Sequence, residues 1–174
     1  MTAAGKSRVL YWIISAAPPA RDWQSALPAL QNDGWDPYVI VTETAAQWLD
    51  PGALAAATGH AVRVRPRRPD ETDDSPPADA VLLAPGTFNT LNKWASGIND
   101  SLALGLLNEL MGFHVPIVVA PVCKAALASH PAYQANLELL RGAGVTILEG
   151  EFSWAAAREA LTVTRAAPSA ARGS

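Results

Sequence analysis

Residues 81–107 limit the fold of this chain more than any other stretch. Ala78-Asp79-Ala80 leads into an apolar run, Val81-Leu82-Leu83-Ala84. Such a run, bounded by turn residues, reads as a buried strand. Pro85 and Gly86 are expected to stop it. Thr87, Asn89 and Thr90 then supply short polar side chains of the kind that cap a helix. Leu91, Trp94, Ala95, Ile98, Leu102, Leu106 and Leu110 recur at spacings of three and four, which predicts one apolar face of a long helix. A strand tip, a turn and a helix N-terminus aim backbone donors and small polar groups at one point. In an open α/β sheet that point is where ligands bind.

The rest of the chain repeats the alternation. Arg8-Val9-Leu10-Tyr11-Trp12-Ile13-Ile14 is rich in aromatic and β-branched residues and predicts a central strand. A helix is expected after Pro18-Pro19, through Trp23, Leu27 and Leu30 to Gly34, with Pro28 as a kink. Tyr38-Val39-Ile40-Val41 predicts a second strand, and residues 42–49 a short helix. Residues 59–64 suggest an edge strand. Residues 65–77 form a loop with clustered charge, read as solvated, a carboxylate pair being the alternative. Ile117-Val118-Val119-Ala120 and Val145-Thr146-Ile147-Leu148 predict two more strands, with a helix between them from Pro131 through Leu140. A last short helix runs from Phe152-Ser153-Trp154 to Leu161. Strands alternating with helices predict an α/β fold whose mostly parallel sheet is covered on both faces. One domain over residues 8–163, between loose tails at 1–7 and 164–174, suits the length of 174 residues.

Composition narrows the function. A net charge of −3 gives no basic footprint for nucleic acid. A single cysteine, Cys123, excludes an internal disulfide framework and suits a reducing compartment. No apolar run reaches the roughly 18 residues that span a bilayer. A cytoplasmic protein with no membrane and no metal site is the expectation.

Ala84-Pro85-Gly86-Thr87-Phe88-Asn89-Thr90, then Lys93 and Gly97-Ile98-Asn99-Asp100-Ser101-Leu102, resembles the flavin-containing cysteine decarboxylases. That family includes phosphopantothenoylcysteine decarboxylase and the peptide decarboxylases that act on C-terminal cysteines. Its pattern is Pro-Ala-Ser-Ala-Asn-Thr followed by Gly-Ile-x-Asp-x-Leu. Ala120-Pro121-Val122-Cys123-Lys124, His130-Pro131 and Leu140-Arg141-Gly142-Ala143-Gly144-Val145 continue the likeness. The resemblance implies a Rossmann-like three-layer sandwich that binds FMN at a subunit interface of a homotrimer or an assembly of trimers. It implies flavin contacts from Ser15, Thr42, Trp48, Pro85, Thr87, Asn89, Asp100, Leu102 and Cys123. It also implies two catalytic positions: Asn89, facing substrate and flavin, and Lys124, as an anchor for the carboxylate of a small-molecule or peptide thiol substrate. The residues themselves leave alternatives open. Thr42 suits an N-cap as well as a phosphate contact, Trp48 suits the core as well as the flavin, and Cys123 reads as a small lining residue or a nucleophile.

The chain also departs from the pattern. Gly86 and Phe88 replace two alanines, and Ser15 is the only hydroxyl in a first loop that in the family is rich in Gly and Ser. No histidine lies between Pro66 and Ala80, where the decarboxylases carry one. Cys123-Lys124 replaces Met-Asn, Leu127-Ala128 replaces Met-Trp, and Glu149-Gly150-Glu151 is too short for a cysteine-bearing flap. Three readings follow: a flavin-dependent oxidoreductase or decarboxylase-like enzyme of unknown substrate, a non-catalytic FMN-binding or regulatory subunit, and an assembly protein without cofactor.

Overall fold

A computed structural model describes residues 7–72 and 74–166. Among them, five strands form one parallel sheet: β1 (Arg8–Ile14), β2 (Trp35–Val41), β3 (Ala80–Thr87), β4 (Ile117–Val122) and β5 (Thr146–Ile147). Their spatial order is β2-β1-β3-β4-β5. Side chains alternate across the pleat, so each central strand serves two cores. From β1, Leu10, Trp12 and Ile14 face α1 (Trp23–Asn32), α2 (Pro51–Thr58) and α7 (Trp154–Ala166). Tyr11 and Ile13 face α3 (Phe88–Ala95), α4 (Leu102–Gly112) and α6 (Pro131–Gly142). A short α5 (Ala125–Ala128) follows β4. The result is the three-layer, Rossmann-like α/β sandwich that the resemblance implies. No helix among the described residues is long and apolar enough to cross a membrane.

Two expectations for residues 81–107 are corrected. Pro85 and Gly86 do not stop β3. The strand continues to Thr87, paired with β4 at Gly86–Pro121 and Thr87–Val122, after a register shift between Leu83 and Gly86. A Cβ on Gly86 would sit 3.2 Å from both Leu83 Cγ and Val119 Cγ1, so the bare glycine suits this tight crossing. The single long helix is two. Gly97 takes φ +70, its amide donates to the Trp94 carbonyl, and the Ile98 amide reaches back to Lys93, which together close a Schellman cap on α3. Ser101 Oγ then accepts from the Leu104 amide and starts α4. The 3.6-residue apolar rhythm passes through this break, which is why periodicity alone merged the two helices.

Elsewhere the outline holds with shifted bounds. A 3₁₀ turn (Pro18–Asp22) precedes α1, and Pro28 lies inside that helix. Residues 42–49 give only a 3₁₀ turn (Ala45–Gln47), while α2 starts at Pro51 under an Asp50 cap. Residues 59–64 contribute a single bridge, Arg63 to Ile40, rather than a strand. Arg65, Arg68, Asp70, Glu71 and Asp74 are exposed, in keeping with the solvated reading, whereas Arg67 is half-buried and donates to Ser75 Oγ at 2.9 Å; Asp73 lies outside the described residues. Residues 164–166, expected in a loose tail, belong to α7, which runs to Ala166; residues 1–6 and 167–174 lie outside the described residues.

Two donors from β1 and the loop after it anchor the irregular part of β3. Trp12 Nε1 donates to the Ala84 carbonyl at 3.0 Å, and the Ser15 amide donates to the Pro85 carbonyl at 3.1 Å. Ala84 is fully buried, so water cannot replace the indole. Trp12→Phe leaves that carbonyl without its donor. Its expected cost is about 1–3 kcal/mol, read as a lower denaturant midpoint with an unchanged slope. A midpoint equal to that of the wild type would show that the indole N–H does not support β3.

Candidate functional site

The strand order creates the site. From β1 the chain moves outward to β2, then returns through β3 and continues the other way to β4 and β5. The loops after β1 and β3 therefore diverge and leave a crevice at the carboxyl ends of the strands. A cleft of about 820 Å³ fills it, within the usual ~300–1,000 Å³ of small-molecule sites. One end is built by residues 16–18 after β1 and by Thr42, Glu43, Thr44 and Trp48 after β2. The middle is Thr87, Phe88, Asn89, Thr90 and Lys93 at the start of α3. Cys123, Lys124 and Leu127 close the far side, and Asp100 and Ser101 overhang it.

Most of the expected site residues come together here. Thr42, Trp48, Thr87, Asn89, Asp100, Cys123 and Lys124 all line the cleft. Ser15, Pro85 and Leu102 are buried and do not line it, and Leu102 borders a neighbouring pocket with Asn99 and Gly105 instead. Thr42 Oγ1 accepts from the Ala45 amide at 3.2 Å, so it caps the turn after β2. Because a hydroxyl has a proton as well as lone pairs, this Thr42 can cap and still donate to an anion. Trp48 is not a core residue. It is 41% exposed, with the Arg21 guanidinium 5.4 Å from its ring centroid. Thr87 Oγ1 accepts from the Thr90 amide at 3.4 Å and caps α3. The amides of Phe88 and Asn89 open the first turn of α3, where a helix offers no internal acceptor, and they belong to residues that line the cleft.

Asp100 is not a free carboxylate. It pairs with Lys93 Nζ at 2.6 Å and ties the residue 96–101 loop to α3. Asn108 Nδ2 donates to the Ile98 carbonyl at 3.0 Å and fastens the same loop to α4. Sequence reasoning quoted Lys93 without giving it a role. The signal that would have found the pair is the break at Gly97, which the apolar periodicity concealed. Thr90 was read only as a capping residue; that its hydroxyl joins Ser15 to Thr87 depends on a contact across 75 positions that no local signal carries.

Cys123 is half-buried and its Sγ donates weakly to the Lys124 carbonyl at 3.5 Å. Burial pushes its thiol pKa upward, which keeps it protonated. Burial likewise pushes the Tyr133 hydroxyl up to about 12, with Cys123 adding to the rise. Tyr133 stacks on Phe88 at 5.3 Å and stiffens the wall under Asn89. No histidine among the described residues lines the cleft. His60 stacks on Tyr38 at 3.9 Å and pairs with Asp36 at 2.6 Å, outside it. His130 Nδ1 accepts from the Ala132 amide at 3.1 Å, which makes it the cap of α6.

The donor set suits a flat anionic heterocycle with a polar tail. Trp48, Phe88 and Leu127 supply apolar surface, while Thr42 and the α3 amides supply donors. Lys124 adds an exposed cation at one edge.

Known proteins agree with this geometry. The chain is 30% identical over 128 residues to the coenzyme A biosynthesis bifunctional protein CoaBC of Thermococcus kodakarensis, covering 71% of this chain and 32% of that one. It thus spans about a third of that relative. A cysteine/cysteine sulfinic acid decarboxylase from an unknown prokaryotic organism is 39% identical over 72 residues, which is 41% of this chain and 19% of that one. Among solved structures, the FMN-dependent cysteine decarboxylase SpaF superposes with a TM-score of 0.71 at 27% identity, over 93% of this chain and 99% of that one. A PPC decarboxylase mutant complexed with pantothenoylaminoethenethiol shares the fold, with a TM-score of 0.74 at 16% identity over 92% and 100% of the two chains. A match to the Flavoprotein family extends over residues 3–166, nearly the whole chain, and with it this protein belongs to that family.

Proposed function

We propose that the cleft binds FMN and that the protein is a flavin-dependent, decarboxylase-like enzyme acting on a small-molecule or peptide thiol. The observation that carries this reading is the convergence of Thr42, Trp48, Thr87, Asn89 and Cys123 on one cleft at the sheet's switch point. FMN as cofactor accords with the Flavoprotein family and with the FMN-dependent SpaF. Bound FMN supplies a two-electron acceptor, and the protein supplies orientation and electrostatics.

In this reading Thr42 and the first amides of α3 donate to acceptor atoms of the cofactor. Trp48 and Cys123 pack against it, and Asp100, held by Lys93, closes its edge. Ser15 and Pro85 support these groups from behind, and Leu102 packs in the core at the start of α4. Asn89 is exposed at the α3 N-terminus and orients the substrate. Lys124 holds the substrate carboxylate as a point charge, without the paired geometry of an amide. Trp48 and Leu127 remain 41% and 42% exposed at the cleft, and Ile98 40% in the loop beside it. Those exposed apolar surfaces suit a subunit interface, and the family resemblance makes the assembly a homotrimer, or an assembly of trimers, in a cytoplasmic protein.

A second reading, a non-catalytic FMN-binding or regulatory subunit, is favoured by the lack of any described histidine in the cleft and by the short link between β5 and α7. Turnover separates the two.

FMN is expected in the supernatant of heat-denatured protein, identified by chromatography; FAD, or no flavin after reconstitution, would overturn the assignment. Thr42→Ala should weaken FMN binding by on the order of tenfold to a hundredfold, and an unchanged affinity would leave Thr42 a cap alone. FMN-loaded protein should release no measurable carbon dioxide from phosphopantothenoylcysteine. A general acid–base group contributes roughly a hundredfold to ten-thousandfold in rate, and here the cleft-lining histidine is missing and the carboxylate clamp altered. Robust release would place the protein with the decarboxylases of that substrate. Cys123 should behave as an inert thiol. Since burial raises its pKa, its thiolate fraction at pH 8 lies below that of free cysteine, and alkylation by iodoacetamide should be slower and reach half its limiting rate at a higher pH. A midpoint below that of free cysteine would revive the nucleophile reading.

A further inference from the structure

Behind the cleft wall lie hydroxyls that touch no ligand themselves. Ser15 Oγ donates to Thr90 Oγ1 over 3.1 Å, and Thr90 Oγ1 lies 3.1 Å from Thr87 Oγ1. The Thr90 amide also donates to Thr87 Oγ1, at 3.4 Å. Ser15 is 1% exposed and Thr90 5% exposed, whereas Thr87 lines the cleft.

A hydroxyl has one proton and two lone pairs, and that fixes the direction of the chain. Ser15 fills one lone pair of Thr90. The contact between Thr90 and Thr87 needs one proton, from one side or the other. Were Thr87 the donor, the Thr90 oxygen would accept twice. Its own proton would then sit in the core with no acceptor among the described residues, which is unfavourable. With Thr90 as donor, every buried proton of the chain is paired. Thr87 Oγ1 then accepts both the hydroxyl and the amide of Thr90. Its lone pairs are filled, and its own proton has nowhere to point except the cleft.

We infer that Ser15 and Thr90 are positioning residues that set the Thr87 hydroxyl as a fixed hydrogen-bond donor into the cleft, selecting a ligand with an acceptor atom at that point. The Ser15 amide, bonded to the Pro85 carbonyl at 3.1 Å, holds the far end of the chain in place. Ligand recognition by the loop after β1 and by the start of α3 is thereby coupled through one proton order. The inference rests on the reading of the cleft as an FMN site, since FMN is the probe.

The test is a mutant cycle read by FMN affinity, from quenching of flavin fluorescence, alongside the denaturant midpoint of the FMN-free protein. Thr87→Val, which removes the donor, should weaken FMN binding by about tenfold, and Thr90→Val by about threefold to tenfold. Thr90→Ser should restore wild-type affinity. The double variant Thr87→Val/Thr90→Val should bind no more weakly than Thr87→Val alone, because Thr90 acts only through Thr87. Ser15→Ala/Thr90→Val removes the orphaned Ser15 hydroxyl. It should recover the midpoint lost by Thr90→Val while FMN binding stays weak, which separates positioning from folding. Additive losses in the cycle, or an unchanged FMN affinity in Thr90→Val, overturn the inference and leave the cofactor reading standing. A wild-type protein that takes up no FMN overturns both.

Discussion

The structure depends on how the end of β3 is held after its ladder slips. Between Leu83 and Gly86 the register with β4 shifts, and Pro85 has no amide to give to a neighbour. Buried carbonyls left without partners at the centre of a sheet are unfavourable. Trp12 satisfies one from β1, and the Ser15 amide satisfies the next. Only with both in place does the strand reach Thr87 in pairing with Val122 and hand over to α3 beside the ends of β1 and β4. The cleft is what this arrangement leaves open.

Packing on the two faces reinforces that geometry. On one side Trp154, at the start of α7, meets Trp12 edge-to-face with ring centroids 5.5 Å apart, and Phe152 meets Trp154 at 4.8 Å. The chain after β5 therefore leans on the residue that anchors β3. On the other side Tyr133 and Phe88 stack beneath the first turn of α3, and Asn136 bonds Asn92 at 2.7 Å to lock α6 to α3. Each fully buried large apolar side chain contributes about 1.5–3 kcal/mol, and both cores draw on alternate residues of the same strands. A change in β1 or β3 is consequently felt on both faces of the sheet and in the site above it.

The electrostatics of the cleft are mild. Lys93 is committed to Asp100, Glu43 pairs with Arg65 at 3.2 Å on the surface, and Lys124 is the remaining exposed cation of the lining. Burial keeps Cys123 protonated. Charge recognition thus falls to one lysine, to the α3 amides and to hydroxyls whose partners fix where their protons point. Such a site recognises a ligand by placed donors more than by net charge.

Local patterning in the sequence already contained the strands, the alternation of strands and helices, and most of the cleft. The apolar runs of β1 and β3, the capping residue Thr87, and the motif at Asn89 and Asp100 are short-range signals that a one-dimensional reading can use. What it misplaced depended on cancellation or on distance. The break at Gly97 was hidden because the apolar rhythm continues across it, and the strand through Pro85 was cut short because the partners of Gly86 and Thr87, Pro121 and Val122, each come 35 residues later. The hydroxyl chain from Ser15 to Thr87 and the clasp of Lys93 on Asp100 join residues through the fold, over 75 positions in the contact of Ser15 with Thr90. Sequence determined which residues could cap, bind and pack; only the tertiary structure decided which way their protons point and which of them face the cleft, because hydrogen-bond direction is set by partners that the fold brings together.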